Sequence, residues 1–220
     1  MGFKQREKLS TLEGHNSGIT SLAFSPDGSI LDGGSFDRSI YLWSVKKAQP
    51  IVKLKEHSGQ VTSIAFSPNG KYFASASLDS TVKIWAISKG KSTLTLKSPI
   101  PSSVMSLAFS DGNKVLASGQ EDGTVVIWIT KTFNTDENEM VQYITLHVQH
   151  AAIRALDFSR TSKYLASGSS SGQGIIYNIK NGTVYKRLEN HSGGITAVSF
   201  SPRHDILATA AHDRTIRIIR

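Results

Sequence analysis

Seven histidines, 17 acidic residues and no cysteine define the proton and metal chemistry open to this chain of 220 residues. His147 and His150 stand three apart, a spacing that would suit a zinc ion if other ligands converged on it. They lie in strand-and-loop sequence with no carboxylate pair beside them, and a zinc site needs three or four well-placed ligands. His204 with Asp205, and His212 with Asp213, cluster in sequence only, across a hairpin. The Gly/Ser-rich stretch 168–174 joins two strands, opens no helix and carries no lysine, so it lacks the parts of a phosphate cradle. An enzyme needs a converging nucleophile and base, paired carboxylates or a metal cluster. The sequence therefore predicts no catalytic residue, no metal and no cofactor.

The remaining histidines, His15, His57 and His191, are in phase with an internal repeat. A run ending in an aromatic residue, Ile19-Thr20-Ser21-Leu22-Ala23-Phe24, recurs at 61–66, 104–109, 153–158 and 195–200. The closing Phe residues are 42, 43, 49 and 42 positions apart, and nineteen residues after each stands Trp43, Trp85, Trp128, Tyr177 or Ile219. A period in the forties with strand-like content is the mark of a propeller blade. A blade cannot bury its own faces, so it needs neighbours on both sides.

The second unit shows why each piece is a strand or a turn. Val61-Thr62-Ser63-Ile64-Ala65-Phe66 is β-branched and aromatic, hence a strand. Ser67-Pro68-Asn69-Gly70 is a turn, because Pro presets φ and Asn-Gly accepts positive φ. The stretch 72–77 is a second strand of mostly small residues, which let neighbouring sheets approach. Thr81 to Trp85 and Ser92 to Leu96 make the third and fourth strands. Four antiparallel strands joined by short turns form one blade. The segment 130–141, which lengthens one interval, reads as a solvated loop, and Asn181-Gly182 reads as a hairpin turn rather than a glycosylation acceptor.

Composition agrees with this. Only 39% of residues are hydrophobic, but they fall in short dense runs, while three Trp, nine Phe and six Tyr supply large core pieces. No stretch nears the roughly 18 apolar residues of a membrane span. The N-terminal residues are polar, unlike a secretory signal. Absence of Cys excludes a disulfide scaffold and fits a reducing compartment, so an intracellular protein, cytoplasmic or nuclear, is expected. A net charge of +8 raises the question of an acidic partner.

On these residues the chain resembles the WD-repeat β-propeller family, across 12–220. The likeness is carried by Gly14-His15, by Phe24-Ser25-Pro26-Asp27-Gly28, by Leu116-Ala117-Ser118-Gly119, and by an Asp six residues before each Trp: Asp37/Trp43, Asp79/Trp85 and Asp122/Trp128. The Trp-Asp pair that names the family is missing, since Ser44, Ala86 and Ile129 follow the tryptophans. The resemblance implies a hydrogen-bonded group of His, Ser/Thr, Asp and Trp in each blade. Carried over by position, the second unit holds the full set, His57, Ser75, Asp79 and Trp85. The first has His15, Asp37 and Trp43 with Gly33 at the hydroxyl position, where Ser35 could substitute. The third has Ser118, Asp122 and Trp128 but Ile100 for His. The fourth keeps Ser167, with Ser171 for Asp, Tyr177 for Trp and His150 displaced by one. The fifth has His191, Thr209 and Asp213, with Ile219 for Trp.

The expected fold is all-β: one propeller domain over 1–220, with five four-stranded antiparallel blades. Its units run 12–53, 54–96, 97–145, 146–187 and 188–220, the last completed by the N-terminal strand 8–12, whose pattern matches that of 92–96. Such closure would remove two exposed edges. Rings of this family usually have seven blades, so a piece of a larger ring is the alternative.

The resemblance implies a non-catalytic platform that assembles a multiprotein complex, with partners on the face formed by the turns around each Asp. There the sequence offers Phe36, Arg38, Leu78, Glu121, His212 and Arg214 as partner-binding residues. Phe36 and Leu78 stand out as apolar side chains in tight turns on adjacent blades. The alternative is RNA or another acidic partner on the opposite rim, where Lys46, Lys47, Lys53, Lys55, Lys89, Lys91 and Lys186 are dispersed. Nucleic acid is the less favoured partner, because no stacking aromatics are interleaved with these lysines.

Overall fold

The structure, a computed structural model, describes residues 10–98, 100–132 and 139–220, without the side chains of 130–142. It is all-β, and no helix is long and apolar enough to cross a membrane. Blade one comprises β1 (Ile19–Phe24), β2 (Ile30–Ser35), β3 (Ile40–Ser44) and β4 (Gln49–Leu54). Blade two comprises β5 (Val61–Phe66), β6 (Tyr72–Ser77), β7 (Thr81–Ala86) and β8 (Lys91–Lys97). Blade three comprises β9 (Val104–Phe109), β10 (Val115–Gln120), β11 (Thr124–Thr132) and β12 (Glu139–His147). Blade four comprises β13 (Ile153–Phe158), β14 (Tyr164–Ser169), β15 (Gly174–Asn178) and β16 (Thr183–Arg187). Blade five has β17 (Ile195–Phe200), β18 (Leu207–Ala211) and β19 (Ile216–Ile219). Within each blade the strands pair in chain order, antiparallel throughout.

One expected element differs. The segment 130–141 is not a plain loop, because β11 and β12 run on as a paired ribbon, with Thr130 opposite Met140 and Thr132 opposite Glu139. The β-branched residues Ile129, Thr130 and Thr132 at the end of β11 extend the ladder past the length seen in other blades. Residues 133–138 lie outside those described.

The core is divided among the blade interfaces. Four apolar clusters each join neighbouring blades: one and two, two and three, three and four, four and five. The contact repeats one design. Aliphatic residues at the first and fourth positions of an inner strand press on the small-residue second strand of the preceding blade. A Cβ added at Gly34 would lie 2.6 Å from Val61 Cγ1 and 3.0 Å from Ile64 Cδ1. That close approach is the reason the second strands are built of Gly, Ala and Ser. A register shift at the start of the inner strand pair also recurs in every blade. It leaves Thr20 and Thr62 out of the ladder, and their hydroxyls reach the next blade, donating to the carbonyls of Val61 and Val104, each at 2.6 Å.

Between blades five and one the design stops. Ile19 and Leu22 are 49% and 62% exposed, whereas the aligned Val61 and Ile64 are 0% and 7%. Ile216 and Ile218 are 72% and 74% exposed, whereas the aligned Val82 and Ile84 are buried. Among the described residues the fifth sheet has three strands and no cluster joins it to the first. The strand expected over 8–12 falls partly outside the described residues, and 10–12 forms no strand.

Candidate functional site: the turn face

The loop before each inner strand and the turn between the second and third strands meet at one end of the blades. In blade two Trp85 Nε1 donates to Ser75 Oγ at 2.8 Å, and Ser75 Oγ lies 2.7 Å from His57 Nε2. His57 Nδ1 meets Asp79 Oδ2 at 2.9 Å. A carboxylate only accepts, so Nδ1 carries the proton and Nε2 accepts from the serine. The Ser58 amide and the Thr81 hydroxyl also donate to Asp79, at 2.9 and 2.6 Å. In blade five His191 Nδ1 is 2.8 Å from Asp213, and Nε2 is 2.8 Å from the Thr209 hydroxyl. In blade one His15 Nδ1 is 3.1 Å from Asp37, while Nε2 faces the Gly33 carbonyl at 3.0 Å. Buried polar groups need partners, and one linked network supplies them together.

Burial alone would raise the carboxyls of Asp37 and Asp79. Hydrogen bonds from Ser39 and Asn16, and from His57 and Thr81, outweigh it and hold both below the usual carboxylate range. At Asp213 the Thr215 hydroxyl is the main cause of the same lowering. Ser39, Thr81 and Thr215, each two residues after the Asp, are therefore part of the turn. Their fixed offset was available in the sequence.

Three positions depart from the expected pattern. Ser35 does not replace the missing hydroxyl of blade one: its Oγ accepts from the Asp37 amide at 3.0 Å, and among the described residues Trp43 Nε1 has no partner. In blade three Trp128 donates to Ser118 at 2.9 Å, but Asp122 is exposed and Ile100 lies in solvent, so the set is split. In blade four the histidine position is filled by Gln149, not by the displaced His150. Ser167 donates to Gln149 Oε1 at 2.5 Å, and the Tyr177 hydroxyl lies at 3.4 Å.

Around this frame the surface residues take fixed positions. Phe36 and Leu78 are 50% and 38% exposed, one on each of two adjacent blades. Their amides donate to the carbonyls of Gly18 and Gln60, which ties each turn to the loop beside it. Arg38, Glu121, His212 and Arg214 are also exposed on these turns. The residue after each Asp has left-handed backbone: Arg38 (φ 70), Ser80 (φ 66), Gly123 (φ 91) and Arg214 (φ 67). Every one of these turns therefore presents its flanking side chains in one register.

The remaining candidates do not converge. His147 Nδ1 pairs with the Thr124 hydroxyl at 3.0 Å, His150 is exposed, and no metal-holding group of three ligands exists among the described residues. At the opposite end, Arg160, Lys163, Lys186, Arg203 and Arg220 surround a groove of about 670 Å³ between blades four and five, with Tyr185 in its wall.

The comparisons agree with this geometry. The family model described as "WD domain, G-beta repeat" matches five times, at residues 6–44, 48–86, 90–128, 141–178 and 182–220. Over 58 residues, 26% of the chain, it is 41% identical to the "WD repeat-containing protein WDS homolog" of Arabidopsis thaliana. The matched stretch spans 11% of that relative. With five matches that together cover most of its length, the chain belongs to the WD domain, G-beta repeat family.

Proposed function

We propose that this protein is a non-catalytic platform whose turn face on blades one and two docks a partner protein within a multiprotein complex. Proteins built of these repeats are in general interaction scaffolds. The observation that carries the reading is the pair Phe36 and Leu78, apolar, exposed and held on adjacent turns of one rigid face. Arg38 stands beside Phe36, and aromatic and Arg side chains dominate interface energetics. The lack of Cys supports an intracellular setting. The test is affinity purification of the tagged chain against its Phe36→Ala and Leu78→Ala variants. Each change should deplete the same co-purifying protein, and moderate salt should not.

A second reading rests on the basic groove between blades four and five, which suits an acidic partner. Binding there would weaken steeply with salt and on loss of Arg160 and Arg203, and would ignore Phe36.

A further inference from the structure

We propose that the blade-one face carrying Ile19 and Leu22 docks on the blade-five face carrying Ala210 and Ile216 of a second copy of this chain. Each of these faces is half of an interface the molecule already builds four times. On the leading side, Val61/Ile64, Val104/Leu107, Ile153/Leu156 and Ile195/Val198 are all buried against the preceding blade. Ile19 and Leu22 are the same residue types at the same positions, and they are exposed. On the trailing side, the partners of those residues are the small Gly34, Ala76, Gly119 and Gly168. Ala210 occupies the equivalent position in β18, next to the exposed Ile216 and Ile218.

The polar groups match as well. The Thr20 hydroxyl reaches both the Val61 carbonyl of the next blade at 2.6 Å and the Gly34 carbonyl of its own blade at 2.9 Å, and Thr62 likewise crosses to Val104. Thr196, in the same place on β17, has among the described residues only the own-blade contact, to the Ala210 carbonyl at 3.2 Å. The Ile19 carbonyl receives no such hydroxyl among the described residues. Thr196 of one copy and the Ile19 carbonyl of another complete the bond that the internal interfaces make. The complement of each exposed face is the other, and a second copy supplies both. Because the two faces differ, the contact is heterologous, so association either closes into a ring or propagates.

The absence of Cys makes the test direct. A Cβ at Gly34 would lie 3.2 Å from Val61 Cβ, close to the roughly 3.8 Å that separates Cβ atoms across a disulfide. The corresponding pair across copies is Ala210→Cys and Ile19→Cys. Mixing the two single variants under mild oxidation should give a disulfide-linked dimer, in clear excess over either variant alone. Adding Leu22→Lys to the Ile19→Cys chain should lower that yield at least roughly tenfold, with the circular dichroism unchanged. Light scattering of the unmodified chain should show a mass that rises with concentration. The Ile19→Cys/Ala210→Cys double variant should give intermolecular species. A link formed within one chain overturns the proposal, because it means that the blades close on themselves. A mixture that gives no cross-link also overturns it, as does a monomeric mass at every concentration, and the faces then belong to a different partner.

Discussion

Gln149 accepts a hydrogen bond from Ser167 at an offset of 18 residues, the offset that also joins His57 to Ser75 and His191 to Thr209. An amide has thus taken the place of an imidazole while the strand geometry stayed fixed. Its carbonyl oxygen accepts where Nε2 would, and its Nε2 donates to the Gln173 carbonyl at 2.9 Å, where a histidine would reach for an Asp that blade four lacks. Gln149→Ala should therefore destabilise the protein by about 1–3 kcal/mol in urea unfolding, because the buried Ser167 hydroxyl would keep only a 3.5 Å contact to the Ile175 carbonyl and the Tyr177 hydroxyl would lose its contact to Gln149. A change within about 0.5 kcal/mol would show that Gln149 is only a spacer.

Blades two and three provide a matched pair. His57→Ala removes the central member of a buried chain of hydrogen bonds and should cost about 1–3 kcal/mol. Ile100→Ala changes the aligned residue of blade three, which is exposed, and should stay within about 0.5 kcal/mol. Equal losses for the two, measured by chemical denaturation, would contradict the network's role in stability.

The strands and turns were legible in the sequence because a blade is specified locally: β-branched runs, Pro-Asn-Gly turns and an Asp at fixed phase. Val61–Phe66 and Tyr72–Ser77 fall where their residues put them. Gln149 was not legible as a network member, because a search by residue type stops at the nearby His150, whereas offset alone selects Gln149. Ser35 misled for a related reason. Its hydroxyl is two residues along a pleated strand from Gly33, on the same face, but already engaged by the Asp37 amide. The exposure of the facing sides of blades five and one could not be read at all. Ile19 and Leu22 carry the same pattern as their buried counterparts, and whether a neighbour covers them is not a local property.

The turn after each Asp sets up opposite effects at two positions. Arg38 holds φ 70, a conformation that costs a side-chain-bearing residue about 1–2 kcal/mol and glycine almost nothing. Arg38→Gly should therefore be neutral to stabilising by up to about 1 kcal/mol. Gly123→Ala should do the reverse. It has φ 91, and its new Cβ would sit 2.2 Å from the Gln149 carbonyl oxygen of the next blade. Overpacking of this kind costs about 1–3 kcal/mol or more. Thermal unfolding of the two variants checks both signs, and a stabilised Gly123→Ala chain would contradict the packing described.

Asp32 is fully buried in β2, and among the described residues neither of its carboxylate oxygens has a well-formed hydrogen bond, the adjacent Gly33 amide offsetting its burial only weakly. The aligned residues are Ala74, Ala117, Ala166 and Ala208, so the carboxyl occupies a place that the other blades keep small and apolar. Burial pushes its pKa well above the usual carboxylate value. Asp32→Ala should stabilise the protein near neutral pH by about 1–3 kcal/mol. The pH dependence has a definite sign. Above its raised folded pKa the ionised group carries its full penalty, and the folded state binds the proton first as pH falls. The gap between the variant and the unmodified protein should thus narrow between pH 7 and 4. Asp37, Asp79 and Asp213 act in the opposite sense, since their lowered pKa values contribute stability above the usual carboxylate range that is lost on acidification. They are common to both proteins and cancel in the difference. Urea midpoints across that pH range measure the gap. An Asp32→Asn chain, which buries a similar shape without a charge to titrate, should remove the narrowing. A gap independent of pH, or a less stable Asp32→Ala variant, would mean that the carboxylate is held by a compensating partner.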